Sequence, residues 1–267
     1  MAYEKITSVK NEGIKDAIAL RDRKGRDAQG LTLIDGISEL KLALEAGITI
    51  ERVFLCPKRM DAQTLNALDK KFVAKALKVL EVSEPVFEKL SFGDRLDGVV
   101  AVAQTPKRHL KNLKLTNRSL LVIVESVEKP GNLGAILRTC DAAGVDGLIV
   151  CDARTDVYNP NVIRASLGAI FTVPVAVCSN QEALDFLRTN KVKVIATLPD
   201  AVQSYWKADY KNSSAILLGS EQNGLSEFWQ KNADEKIQIP MTGQVNSLNV
   251  SISAALAVYE VLRQRKS

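Results

Sequence analysis

Histidine is almost missing from this sequence: His109 is the single one in 267 residues, and the four cysteines (Cys56, Cys140, Cys151, Cys178) form no C-x-x-C pair. A His/Cys zinc site needs closely spaced ligands, so no metal is expected, and the cysteines read as reduced thiols in or near cores. His109 lies in a basic segment with no serine-nucleophile signature nearby, which argues against a histidine-based triad. Long apolar runs are lacking too. None reaches the ~18 residues of a membrane span. The N-terminal "MAYEKITSVKNEGIKDAI" carries charge throughout, unlike the apolar centre of a secretion signal. The expectation is a cytoplasmic protein with no membrane partner. Neither G-x-G-x-x-G nor G-K-[ST] occurs where a nucleotide would need it, which disfavours the usual Rossmann and P-loop sites. Internal repeats and low-complexity stretches are also missing.

Hydrophobic residues make up 46% of the chain and charged residues 25%, the balance of an ordinary globular protein. The length suits two domains of about 100–200 residues each. The net charge of +5 is unevenly placed. Residues 1–106 hold 17 basic and 16 acidic groups, and residues 119–267 hold 14 and 15. The twelve residues "KRHLKNLKLTNR" between them carry five basic groups and no acid. Either a solvated linker or a contact with a polyanion, where Lys and Arg displace counterions from phosphates, fits such a run. A second basic cluster, Arg21, Arg23, Lys24 and Arg26, is interrupted by Asp22 and lies next to Asp27, so a solvated surface stretch fits it equally.

The pattern along the chain divides at the same connector. Residues 1–106 alternate helix and strand: "SELKLALEAG" reads as a helix capped by Ser38 and ended by Gly47, "ITIERVFLC" as a strand, "DAQTLNALDKKFVAKAL" as a helix and "KVLEVSE" as a strand. From Leu120 onward, "LLVIVES", "GLIVC", "TVPVAV", "KVKVIAT" and "AILLGS" are apolar runs separated by helical segments. That alternation predicts a parallel α/β sheet covered on both faces. Ligands in such sheets bind beyond the carboxyl ends of the strands.

Three segments stand at predicted strand ends. In "VEKPGNLGAILRTCDAAG", Asn132 is placed to cap a helix running to Gly144, with Leu133, Ile136, Leu137 and Cys140 as its apolar face and Arg138 on another side. In "LLGSEQNGLSEFW", a buried strand runs into Gly219, Ser220 and Glu221; a glycine there lets a ligand or another backbone come close. In "IQIPMTGQVNSLNVSISAALAVYEVL", Pro240 ends a short strand and a helix is expected from Ser247 as its cap. Leu248, Ile252, Ala255, Tyr259 and Leu262 would form one apolar face of it. By spacing alone, Asn132 reads as a simple cap, Arg138 as a surface arginine and the third segment as a packed terminal helix, while the second is equally well a capped turn.

Together and in this order, the three segments resemble the signature motifs of the SpoU/TrmH family of RNA ribose 2′-O-methyltransferases, in the SPOUT superfamily. The first 106 residues, with "KDAIALRDRKGR" and "LTLIDGISELKLALEAGITIERVFL", resemble that family's ribosomal-protein-like substrate-binding domain; Asp35-Gly36 stands where many relatives have an acidic "EG" pair. The resemblance implies a small N-terminal α/β RNA-binding domain (1–106), a basic linker (107–118) and a C-terminal parallel-sheet SPOUT domain with a trefoil knot (119–267). It implies S-adenosylmethionine as methyl donor, no metal, a homodimer, and RNA, most of all 23S ribosomal RNA, as substrate. Transfer RNA methylation and non-catalytic RNA binding are the alternatives. Carried over residue by residue, Arg138, Asn132, Glu221, Ser247 and Asn249 become the catalytic set. Gly219, Ile239 and Leu248, with Thr197 or Leu198 and the adjacent Ser220, Gly224, Met241 and Ser247, become the donor wall. Arg21, Arg23, Lys24, Arg26, Lys107, Arg108, Lys111 and Lys114 are the expected RNA contacts.

Overall fold

The structure is a computed structural model that describes residues 3–92 and 97–266. The chain forms two compact units: Met1–Pro106 together with Tyr158–Phe171, and Lys107–Val157 together with Thr172–Ser267.

The first unit contains, in order, β1 (Glu4–Ile6), α1 (Glu12–Ala19), α2 (Arg23–Gln29), β2 (Leu31–Asp35), α3 (Ile37–Glu45), β3 (Ile50–Leu55), α4 (Ala62–Ala74), β4 (Val79–Val82), α5 (Glu84–Leu90) and β5 (Val99–Gln104). Its sheet has the order β1-β4-β3-β5-β2, with β5 antiparallel to both β3 and β2. Ile14, Ala17 and Leu20 of the first helical stretch pack with Phe54, Phe87, Val100 and Val102 on one face of that sheet. Helix α3 starts after Gly36, two residues earlier than a Ser38 cap would place it, and Gly36 has a φ of 126°. A Cβ at Gly36 would lie 2.3 Å from a Glu39 carboxylate oxygen, so the turn depends on glycine.

The edge strand β2 would expose its backbone, and the segment Tyr158–Phe171 covers it. The Thr32 hydroxyl donates to the Tyr158 carbonyl at 2.8 Å. The Arg164 guanidinium donates to the Phe92 carbonyl. Gly168 comes so close that an added Cβ would lie 3.0 Å from the Cα of Glu39. Asp35 is buried beside this segment; burial pushes its carboxyl above the usual range, opposed by the Phe92 N–H, the Ser91 hydroxyl and Arg164.

The second unit contains β6 (Leu120–Glu125), α6 (Pro130–Ala143) and β7 (Gly147–Cys151). Next in the chain come α7 (Pro160–Ala165) and α8 (Ala169–Thr172), within the covering segment save for the last residue of α8. The second unit then resumes with β8 (Val175–Cys178), α9 (Asn180–Thr189), β9 (Lys193–Thr197), β10 (Gln203–Ser204), β11 (Ser214–Leu218), α10 (Glu227–Asn232), β12 (Glu235–Gln238) and α11 (Val250–Lys266). All seven strands are parallel, in the order β10-β12-β9-β11-β6-β7-β8. This is the parallel α/β sheet that the alternating apolar runs predicted. Strands β6, β7 and β11 are buried along their whole length, as a sheet covered on both faces requires.

Residues 107–118 are not an extended tether. Leu113 belongs to the second unit's core, and Leu110 and Leu115 pack against it. Burying one leucine side chain is worth roughly 2 kcal/mol, enough to hold a stretch whose lysines face solvent. The terminal helix also differs from its expected pattern. Val250, Ala254, Ala257, Val258 and Val261 are its buried apolar residues, while Ile252 and Tyr259 are each 51% exposed and Leu256 is 36% exposed. Helix α11 is apolar on two faces, so periodicity alone does not choose between them. The small side chains of Ala254 and Ala257 suit the face that packs on α6 and β11.

A fragment ending at Pro106 should lack the cover over β2, Asp35 and Glu39. It is expected to bind the apolar dye ANS and to exchange β2 amide hydrogens rapidly, whereas the full chain protects them; equal protection in both would remove the role of Tyr158–Phe171.

Candidate active site

The three motif segments leave the carboxyl ends of strands that the sheet brings side by side. β11 lies between β6 and β9, and β12 pairs with β9. Pro130 is the first residue of α6, where its missing N–H costs nothing. The helix therefore begins two residues before Asn132, and Lys129, not Asn132, occupies the cap position. Asn132 sits in the first turn with its side chain free for another partner. Leu133, Ile136, Leu137 and Cys140 face inward as their spacing predicted.

After β11 the chain turns back on itself. Ser220 and Gly224 exchange backbone hydrogen bonds of 3.1 and 3.0 Å. A Cβ on Gly219 would stand 2.1 Å from the carbonyl carbon of Gly224, so the close approach that this glycine permits is to the chain's own backbone. The Ser220 hydroxyl accepts the Asn223 N–H at 3.2 Å and tightens the turn.

The third segment holds a second change of cap. Helix α11 starts at Val250, and Asn249 Oδ1 accepts both the N–H and the hydroxyl of Ser251, at 2.9 and 2.6 Å. Asn249 therefore takes the capping role expected of Ser247. The Asn249 amide donates to Asn132 Oδ1 at 3.1 Å, and the Asn132 amide donates to the Glu221 carboxylate. One hydrogen-bonded chain thus joins the three motifs.

A cavity of about 640 Å³ lies among these segments. Every residue expected in the donor wall lines it: Thr197, Leu198, Gly219, Ser220, Gly224, Ile239, Met241, Ser247 and Leu248. Glu221 and Asn249 line it as well, and Asn132 is hydrogen-bonded to both. Arg138 does not line it. Arg138 is exposed on α6 and has no hydrogen bond or ion pair among the described residues. Lys129, Asp200 and Gln230 also line the cavity and were not singled out from the sequence. Asp200 follows the end of β9, where the strand-end rule would have found it. Nothing in the sequence distinguishes Lys129 or Gln230. The Thr197 hydroxyl is buried at the cavity without a hydrogen-bond partner among the described residues. Such a group calls for a polar partner from outside the chain.

The expected RNA contacts divide into several kinds. Arg26 is withdrawn from the set: it is 4% exposed, and its guanidinium donates to the carbonyls of Leu20 and Arg21 at 2.8 and 2.9 Å. These carbonyls at the end of α1 lack helical partners, and a buried cation satisfies them. Arg21 lies over the Phe92 ring at 5.1 Å, and exposed Arg23 pairs with Asp27. Lys24 is exposed. In the connector, Arg108 donates to the Val173 carbonyl at 2.6 Å, whereas Lys107, Lys111 and Lys114 are exposed.

The parallel sheet and the strand-end cavity define an α/β protein that takes a ligand between its C-terminal loops. The chain belongs to the SpoU rRNA methylase family, whose sequence model matches residues 119–259; that of the MRM3-like substrate binding domain matches residues 11–101. It is 26% identical to the 23S rRNA (guanosine(2553)-2′-O)-methyltransferase RlmP of Bacillus subtilis, over 97% of this chain and 99% of that one. Among solved structures, an RNA 2′-O ribose methyltransferase is 40% identical with a TM-score of 0.86, covering 98% of this chain and 100% of its own. An AdoMet-bound rRNA methyltransferase from Sinorhizobium meliloti is 29% identical with a TM-score of 0.89, covering 98% of both chains.

Two glycines of the site loops should respond differently to a methyl group. Gly219→Ala should destabilise the second unit by about 1–3 kcal/mol through overpacking against Gly224. Gly243→Ala, with nothing within 4 Å of the new carbon, should be close to neutral. Urea unfolding of the two variants checks this.

Proposed function

We propose that this protein transfers a methyl group from S-adenosylmethionine to a ribose 2′-hydroxyl of RNA, in 23S ribosomal RNA. The observation that carries the proposal is the chain Glu221–Asn132–Asn249 at a cavity fitted to the donor, in a member of the SpoU rRNA methylase family. The cavity fits on its own chemistry. It offers the orphaned Thr197 hydroxyl, the apolar Leu198, Ile239 and Leu248, and the carboxylates of Asp200 and Glu221, which suit a cationic ligand. Thr197, Leu198, Gly219, Ile239 and Leu248, with Ser220, Gly224, Met241 and Ser247, would hold S-adenosylmethionine, which supplies a methyl group already activated by its sulfonium centre.

The protein's own work is then alignment of the ribose and removal of one proton. Asn132, Glu221, Ser247 and Asn249 orient the ribose at the cavity mouth. Asn132 has one fixed amide orientation, because Oδ1 accepts from Asn249 while Nδ2 donates to Glu221. Arg138 steadies the developing alkoxide and grips the adjacent phosphate. A guanidinium stays protonated at working pH, so the proton leaves to a phosphate oxygen or to water. Lys24, Lys107, Lys111 and Lys114, with Arg21 and Arg23, contact the RNA backbone, where counterion release favours binding. Relatedness to a 23S-modifying enzyme and the match of residues 11–101 to a substrate-binding domain support ribosomal RNA over transfer RNA. With a ribosomal substrate goes a cytoplasmic location.

The trefoil knot of the family resemblance is part of this proposal, supported by the convergence of the loops after β11 and β12 on one cavity. A homodimer is part of it as well. Ile252, Leu256 and Tyr259 recur at steps of four and three, and all three are exposed. They form an apolar stripe of the kind that marks an interface.

Purified protein should methylate 23S ribosomal RNA in vitro, with the product mapped as a ribose 2′-O-methyl. Arg138→Ala should lower turnover about 100-fold or more and leave S-adenosylmethionine affinity by calorimetry near wild type. Equal loss of donor binding would remove Arg138 from its role, and methylation confined to transfer RNA would replace the substrate. Leu256→Asp should convert a dimer to a monomer in sedimentation analysis; a wild-type monomer would refute the interface.

A further inference from the structure

Glu125, the last residue of β6, is only 4% exposed, yet it takes no part in the proposed chemistry. Its carboxylate accepts three neutral donors: the Ser226 N–H at 2.8 Å, the Ser226 hydroxyl at 2.6 Å and the Asn180 amide at 2.7 Å. Asn180 Oδ1 in turn accepts the indole N–H of the fully buried Trp229 at 2.6 Å. Ser226 occupies the cap position of α10, but its own side chain makes no capping bond. Glu125 supplies the anchor from outside the helix.

This anchor falls at a particular place. Residues Gly219–Leu225 line the cavity and carry Glu221, the acceptor of the Asn132 amide. At one end the loop is fixed by β11 and by the close packing of Gly219 on Gly224. At the other end it is fixed by Glu125 on Ser226. Strand β6 therefore bears on both walls, because α6, with Asn132 in its first turn, begins at Pro130, soon after the strand ends at Glu125. Three converging donors need an acceptor-only group with several lone pairs. A glutamine at 125 would present an NH₂ to donors and lose at least one of the three bonds.

We infer that Glu125 is a positioning residue for the donor-binding wall: through Ser226 and Asn180 it holds the loop Gly219–Leu225 in the shape that binds S-adenosylmethionine. The inference rests on the proposed methyl transfer. It assigns to Glu125 an effect on donor affinity and not on the chemical step.

Calorimetry with S-adenosylmethionine, and steady-state kinetics at saturating 23S RNA, test it on the full-length protein. Glu125→Gln should raise the Kd and the KM for S-adenosylmethionine about tenfold, with kcat within about twofold of wild type. Glu125→Asp keeps two acceptor oxygens and should fall between the two. A melting temperature lowered with KM unchanged would mean a merely structural role and would overturn the inference. So would a loss of kcat with unchanged donor affinity. If Glu125→Gln fails to fold, Ser226→Ala decides: it removes one of the three bonds and should weaken donor binding about threefold, and an unchanged Kd would overturn the inference. Wild-type protein that binds no S-adenosylmethionine would overturn the proposed function as well; wild-type binding with an unaffected Glu125→Gln would overturn this inference alone.

Discussion

Parallel pairing is the constraint on which the site depends. In a parallel sheet all strands end on the same side, and here β11, from the last quarter of the chain, is inserted between β6 and β9. Hydrogen bonds from Ser214 to Leu218 along β6 therefore bring together loops separated by about 90 residues of sequence. The cavity follows from that adjacency. Asn132 leaves β6 through α6, Glu221 follows β11, Thr197 ends β9 and Met241 follows β12. None of these segments could make the site alone.

The polar chain that crosses the cavity has a direction. It starts at the first turn of α11, where the Ser251 N–H donates to Asn249, and passes through Asn249 and Asn132 to the Glu221 carboxylate. Every amide in it has donor facing acceptor, so it holds one arrangement rather than two. The negative end lies by the first turn of α6, where a helix dipole favours an anion. Glu221 thus stands beside the ligand cavity with the Asn132 amide, and no lysine or arginine among the described residues, as its hydrogen-bonded partner. A cation entering the cavity meets a carboxylate that is in no ion pair among the described residues.

The sequence made the sheet legible because strands covered on both faces are apolar along most of their length, as the runs "LLVIV", "GLIVC" and "AILL" are. The residues that line the cavity were grouped by motif resemblance, because what each does is local: a glycine where the backbone closes, a proline where a strand stops. Orientation was harder to read. Helix α11 carries Ile252 and Tyr259 on one side and Val250, Val258 and Val261 on another, so a period of 3.6 fits both faces. Arg26 sits among basic neighbours that face solvent, and only the unsatisfied carbonyls at the end of α1 explain its burial. The caps at Asn132 and Ser247 were misplaced for a similar reason. Pro130 starts one helix early, and Asn249 outcompetes Ser247 for the other. Nor does composition show that Tyr158–Phe171 packs on β2, since that depends on a contact 126 residues apart.

The contrast between Arg138 and the rest of the catalytic set has a mechanistic meaning under the proposed function. Asn132, Glu221 and Asn249 are bonded to one another, so their geometry is already determined and donor binding need not reorganise them. Arg138 is exposed and has no partner among the described residues. A long side chain with no partner loses entropy when it is finally held, and the phosphate of a bound nucleotide is the group able to hold it in a bidentate grip. The ordering of Arg138 is then coupled to RNA arrival rather than to the donor. In such a site the polar chain at the donor cavity is prearranged, and the group that steadies the alkoxide is ordered by the substrate itself.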